Sequence, residues 1–354
     1  MATITKTPAG TWKAIIRKNG WPSVGKTFRI KRDAEDWARR TEDEMVRGVY
    51  IQRSQAEQLT VSKALDRYLK EVTPTKKAST QTAEQNKSNR LRAEFGDYSL
   101  AAVTPDLVAD YRDKRLAEGK SNNTVRLELA LLSHLFTTAI REWRVGLTYN
   151  PVANIRKPKP GEGRDRRLTS EEEKRLLVAT DAHSNPMFGW VVRLALFTGM
   201  RSGEILGLRR SQVDLKKRTV LLKDTKNGSS RSVPLLKAAV DVMQAALNNP
   251  VRPIDTDLIF FGEPGRDGKR RSYVISKIWA SQTKSVGLAD LHFHDLRHEF
   301  VSRLVEAGLS DQKVSAISGH KSMQMLKRYT HLRTEDLADE MDRLVGSNSV
   351  SKWI

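Results

Sequence analysis

Cysteine is absent from the chain. That excludes disulfide frameworks, thiolate zinc sites and thiol nucleophiles, and it is compatible with a reducing compartment. Long apolar runs are missing too. None approaches the roughly 18–20 residues that a membrane span needs, and the opening MATITKTPAGTWKAIIRKNG lacks the apolar centre of a signal peptide. A soluble, cytoplasmic protein with no membrane partner is expected. No internal repeat and no low-complexity tract interrupts the pattern. Carboxylates are not clustered as metal-dependent strand-transfer enzymes require.

Cations, by contrast, are abundant. The 354 residues carry a formal charge of +20 with a pI near 10.1. A soluble protein this basic usually meets a polyanion, and nucleic acid is the leading class. Residues 1–55, 56–160 and 161–354 carry net charges of +6, +6 and +8, so no single basic tail explains the excess. With 38% hydrophobic residues the chain can build several modest cores rather than remain disordered.

The pattern predicts a multidomain protein, mainly α with small β-sheets. Within residues 1–55, TWKAIIR and KTFRI read as short strands around the Asn19-Gly20 turn. A helix follows, with Ala34, Trp37, Ala38, Thr41 and Met45 at helical spacing. The strands carry Lys13, Arg17, Lys18, Lys26 and Arg29, which makes this unit a candidate DNA-binding module. Residues 51–60 read as a polar linker. Residues 56–150 form a helical domain, with a start signal at Thr104, a stop at Gly119 and a central apolar helix carrying Val125, Leu127, Leu129, Leu131, Leu132, Leu135 and Phe136. Residues 151–168 contain IRKPKPGEGRDRR and read as an exposed basic linker whose Arg156, Lys157 and Lys159 could follow phosphates. Residues 169–354 form a mixed α+β domain with a C-terminal tail. Thr169 and Glu172 open it as a capping box. Helices are predicted near 170–180, 187–198, 202–210, 236–247, 272–285, 295–307, 311–318, 322–328 and 334–344. A hairpin is predicted around Asn227-Gly228.

Six polar residues stand out in this last domain. Arg201 lies in TGMRSGEIL just after Gly199, and Lys226 at the predicted hairpin tip. His294 and Arg297 lie three apart in LHFHDLRHEF, on one helix face. His320 lies in ISGHKS, and Tyr329 follows nine residues later. Each alone has an ordinary explanation: an ion-pair partner of Glu204, a turn lysine, a capping histidine, a core tyrosine. Their order and contexts are far more specific. The other tyrosines, at 50, 68, 98, 111, 149 and 273, lack the preceding histidine.

On these residues the chain resembles the tyrosine recombinases, or phage-type integrases, whose pattern is Arg, a hairpin Lys, His-x-x-Arg, His or Trp, and Tyr. The likeness is strong from about 165 to 335. The helical region is similar to the family's core-binding domain, and the N-terminal unit more weakly to its arm-type DNA-binding module. NTVRLELALLS, GRDRRLT and ISGHKSMQMLKRYTHLR most resemble shufflon-type DNA invertases, whereas the extra N-terminal module is more typical of phage and integrative-element integrases.

The resemblance implies cleavage and rejoining of double-stranded DNA through a 3′-phosphotyrosine on Tyr329, with no cofactor and no metal. It makes Arg201 and Arg297 phosphate clamps, a task suited to bidentate guanidinium. It makes His294 a base or proton relay, Lys226 the acid for the leaving 5′ oxygen, and His320 a donor to the phosphate. A homotetramer in the synaptic complex is implied, and accessory DNA-bending proteins are allowed for. The tail, with Leu332, Leu337, Met341 and Leu344 at near-helical spacing, is expected to form a helix that docks on a neighbouring protomer or packs on its own domain. Integration, excision and inversion all stay open. So do a type IB topoisomerase-like enzyme and an inactive DNA-binding regulator. A zinc site on His292, His294 and His298 is disfavoured, because Arg297 intervenes and the zincin Glu is missing.

Overall fold

The computed structural model describes residues 2–50, 54–161, 163–223, 230–320, 323–326, 329 and 342. The predicted hairpin tip with Lys226 and the predicted docking helix of the tail lie outside the described residues. The chain divides into compact units at 1–162 and 163–354.

The first unit holds two cores. Strands β1 (Ala2–Lys6), β2 (Trp12–Ile16) and β3 (Val24–Phe28) form an antiparallel sheet in that order. Alternation sends Trp12, Ala14, Ile16, Val24 and Phe28 to one face, where α1 (Lys31–Val46) lays Ala34, Ala38, Thr41 and Met45 on them. β1 was not legible in the sequence, because ATITK offers only Ile4 as a large apolar residue.

The second core belongs to α2 (Ser54–Gln58), α3 (Val61–Glu71), α4 (Ala78–Phe95), α5 (Pro105–Ala117) and α6 (Asn122–Arg141). Thr60, Thr104 and Ser121 cap α3, α5 and α6 by accepting backbone N–H groups. α2 occupies what reads as linker, because Ala56 is buried in this core. α6 buries Val125, Leu129, Leu131, Leu132, Leu135 and Phe136, while Leu127 is 56% exposed.

The connector is largely exposed and irregular, as its composition predicts, yet its backbone is tied down. Arg112 Nη1 donates to the carbonyl of Arg156 at 2.6 Å, Arg126 Nη1 to that of Pro158 at 2.8 Å, and Asn122 Nδ2 to that of Lys159 at 3.0 Å. Side chains of α5 and α6 thus satisfy carbonyls that proline-interrupted backbone cannot pair in a ladder. The side chains of Arg156, Lys157 and Lys159 stay exposed.

In the second unit, α7 (Ser170–Asp181) opens with the capping box of Thr169 and Glu172. α8 (Pro186–Thr198) is the apolar centre, packed by α7 and by two later helices. α9 (Ser202–Leu206) ends four residues before its predicted limit. There Leu208 and Arg210 leave the helix to pair with residues 257–259. A sheet of β4 (Val213–Asp214), β5 (Thr219–Leu222) and β6 (Arg231–Pro234) follows, then α10 (Lys237–Leu247). The pairing of Leu222 with Arg231 makes β5 and β6 the predicted hairpin. An unpredicted hairpin, β7 (Phe261–Pro264) and β8 (Arg270–Ser272), delays α11 to Ser276–Ser285. α12 (Asp295–Glu306), α13 (Asp311–Ser318) and α14 (Met323–Leu326) complete the described elements. α10 and α12 are the later helices against α8. Phe300, Val301, Val314 and Leu326 form a small core beside it, against which Tyr329 packs.

Candidate active site

α8 stops at Gly199, whose φ of +59° is left-handed. A Cβ there would lie 2.4 Å from Phe300 Cδ1, so glycine lets the start of α9 approach α12. The Gly199 carbonyl accepts from Arg297 Nη1 at 2.5 Å. Arg201 caps α9 and is 21% exposed at its side chain. Its backbone N–H and its Nη1 donate to the two carboxylate oxygens of Glu204, at 2.9 and 3.0 Å.

Glu204 is shared. Arg231, on β6, donates to both its oxygens, at 2.9 and 2.7 Å. Burial would raise the Glu204 carboxyl, but Arg231 and the Arg201 N–H together hold it below its ordinary value. The Arg231 guanidinium also lies against Gly319, where a Cβ would come within 2.8 Å of Nε. One arginine therefore touches both the TGMRSGE and the SGH segments.

Arg297 is 2% exposed. Besides Gly199, its guanidinium donates to the Ser318 carbonyl at 2.7 Å and lies 3.2 Å from His320 Nε2. Burial foremost, then Arg201, pull its pKa down to about 10 against the opposing pull of Glu204, so it remains a cation at neutral pH. His320 is oriented by Ser318. The Ser318 hydroxyl donates to the Val314 carbonyl at 2.6 Å and so can accept from His320 Nδ1 at 2.7 Å. That tautomer leaves Nε2 as an acceptor for Arg297. Burial, then Arg297 and Arg201, lower the His320 pKa to about 3. His320 is therefore neutral and, in this structure, presents a lone pair rather than the N–H that donation to a phosphate requires.

His294 precedes α12 and is exposed; its ring meets His298 edge-on, with centroids 4.9 Å apart. His298 Nδ1 is hydrogen-bonded to the Tyr329 hydroxyl, and the Tyr329 ring centroid lies 5.6 Å from that of His298 and 6.0 Å from that of His320. Five of the six singled-out residues thus converge: Arg201, His294, Arg297, His320 and Tyr329. Lys226 lies outside the described residues.

Two neighbours escaped the sequence reading. His298 stands out in the sequence only as a candidate metal ligand, and Arg231 does not stand out. Spacing could have flagged His298, one turn beyond His294. Arg231 carries no such local signal. Among the described residues no cluster of His, Asp and Glu is placed to hold a metal ion.

α12 is held from behind by arginines that read as connector. Arg164 pairs with buried Asp295 at 3.1 Å, and Arg167 with buried Glu299 at 2.8 Å. Burial opposes ionisation of Glu299, yet Arg167 and the Leu168 N–H hold its carboxyl below the usual range. Among the N-terminal cations, Lys13 pairs across from Thr5 and Thr27, on the sheet face away from α1. Lys26 pairs with Ala14 on the helix side and contacts Glu57 at 3.6 Å. The strand cations therefore do not share one face. Arg17 and Arg29 are exposed and Lys18 is half-buried. Among the described residues no helix is long and apolar enough to cross a membrane.

The phage integrase family model matches residues 166–336, and the model of the phage integrase N-terminal domain matches residues 60–159. The chain is 43% identical over 305 residues to the shufflon-specific DNA recombinase of Escherichia coli, covering 83% of this chain and 75% of that protein. It is 28% identical over 356 residues to the integrase of Haemophilus phage HP1, covering 95% and 96%. Among solved structures, the Tn1549 transposon integrase in complex with transposon right end DNA aligns with a TM-score of 0.66 at 19% identity, over 81% of this chain and 99% of that one. A lambda integrase dimer bound to a core site aligns at 0.61 with 22% identity, over 92% and 93%. These last two likenesses concern the fold. Motif order, site geometry and relatives agree that the chain belongs to the phage integrase family and is a tyrosine site-specific recombinase.

Proposed function

We propose that the protein cuts and rejoins double-stranded DNA by transferring a 3′ phosphate to Tyr329. The observation that carries this reading is the seat of the Tyr329 phenol, beside His298 and His320 and within the field of Arg297. A phosphodiester repels nucleophiles, and its transition state gathers charge on the equatorial oxygens. Arg201 and Arg297 would hold those oxygens. A guanidinium has five donors, so each can serve a phosphate while keeping the protein contacts described above. Lys226, from the β5–β6 hairpin, would protonate the leaving 5′ oxygen, and His294 would relay protons. His320 would act beside the phosphate through Arg297 unless its tautomer changes. The covalent phosphotyrosine conserves the bond energy, so a 5′ hydroxyl from another strand can reverse the step.

Lys13, Arg17, Lys18, Lys26, Arg29, Arg156, Lys157 and Lys159 remain proposed phosphate contacts, with Lys26 the weakest because Glu57 competes for it. Four protomers would hold two DNA sites in a synapse; a lambda integrase tetramer bound to a Holliday junction is among the structures that share the fold. Likeness to the shufflon-specific recombinase favours inversion between short inverted repeats. Such a reaction takes place on DNA in the cytoplasm. Incubation with a DNA suicide substrate, nicked beside the cleavage position, should give a covalent protein–DNA adduct that Tyr329→Phe abolishes. An adduct surviving that substitution would place the nucleophile elsewhere.

A further inference from the structure

The Tyr329 hydroxyl is hydrogen-bonded to Nδ1 of His298, one helical turn beyond His294. We propose that His298 is the immediate proton acceptor for Tyr329 in strand cleavage, and that His294 is the next carrier toward solvent. The idea rests on Tyr329 being the nucleophile.

Three features of the site support it. Contact comes first, since a general base must lie within hydrogen-bond reach of the proton it removes, and His298 does. Second, the neighbouring histidine is committed elsewhere. His320 uses Nδ1 on Ser318 and turns Nε2 to Arg297, so neither nitrogen is offered to the phenol. Third, the half-buried His298 ring lies between the Tyr329 ring and the exposed His294 ring, at 5.6 and 4.9 Å. His294 at the N-cap of α12 lies four residues before His298, which puts both histidines on one side, giving a route of two imidazoles from phenol to water.

The step balances without an external reactant. The step requires the neutral tautomer of His298 with its proton on Nε2, so that Nδ1 faces the phenol as a lone pair. The phenolic proton passes to Nδ1 as the tyrosyl oxygen bonds to phosphorus. The bond from phosphorus to the 5′ oxygen breaks, and that oxygen takes a proton from the Lys226 ammonium. Rejoining runs backward: Lys226 recovers its proton, the phosphorus–tyrosyl bond breaks, and His298 returns its proton to Tyr329.

The rival explanation is that His298 merely parks the tyrosine before DNA arrives. The two differ in what an easily ionised nucleophile does. Adduct formation on a nicked suicide substrate would be timed for the parent, His298→Asn, and both again with Tyr329→3,5-difluorotyrosine, whose electron-poor phenol ionises at lower pH. His298→Gln serves if the Asn variant does not fold, judged by thermal unfolding and DNA binding. The expected result is a loss of about 10²–10⁴-fold in the His298 variant with DNA binding kept, most of it recovered with the fluorinated tyrosine. Cleavage at the parent rate or faster would reduce the bond to a resting contact. A loss that fluorination does not relieve would make His298 structural. Either result overturns the proposal. Persistence of the adduct in Tyr329→Phe would instead remove the underlying reading of the nucleophile.

Discussion

His320 shows how much a single environment can change a side chain. Its pKa falls from 6.5 to about 3, chiefly through burial and then through Arg297 and Arg201. Because the folded value is the lower one, the unfolded chain binds more protons between these limits. The stability this contact confers is complete above pH 6.5 and is lost as the pH falls toward 3. In His320→Gln, denaturant unfolding should therefore show a shallower decline of stability between pH 6.5 and 4 than in the parent. Equal declines would mean that His320 is not held neutral. Such a property was only half legible beforehand. The motif ISGHKS announces the histidine, but its charge state depends on Arg297, 23 residues away, and on Ser318. Arg231 and His298 depend on distant partners as well. Their partners, Glu204 and Tyr329, lie 27 and 31 residues off, and nothing in local spacing encodes those meetings.

At the scale of elements, the site is made by the way α8, α9 and α12 meet. Gly199 is the hinge of that meeting, because its left-handed turn and its closeness to Phe300 leave no room for a side chain. Gly199→Ala should cost about 2–5 kcal/mol, combining left-handed strain of roughly 1–2 kcal/mol with overpacking of roughly 1–3 kcal/mol. It should also lower cleavage, since the Arg297 anchor on the Gly199 carbonyl moves with it. Chemical denaturation and adduct yield test both. A fully stable and active variant would contradict this account. Helix existence was largely legible, since Thr169 and Thr104 are strong cap signals and α8 is apolar except for Arg193 and its terminal Thr198. Boundaries suffered where tertiary pairing intervened. α9 gives way when Leu208 and Arg210 pair with residues 257–259. α11 starts late because FGEP and RRS close a hairpin on themselves.

For the whole molecule, net charge proves a coarser guide than its distribution. The value of +20 points correctly to a DNA-acting family. However, several cations of the basic connector serve the fold: Arg164, Arg166 and Arg167 are paired with Asp295, Glu172, Asp290, Glu299 and Glu306. Arg156, Lys157 and Lys159 keep their side chains exposed and remain the proposed phosphate contacts there. The reading of the enzyme as a whole turns on one covalent bond. The most direct measurement is to trap the adduct, digest the DNA with nuclease and the protein with protease, and locate the residual nucleotide by mass spectrometry. A nucleotide phosphate on the peptide containing Tyr329 is the expected result. The same mass on a peptide holding Tyr98, Tyr149 or any other residue would contradict the account.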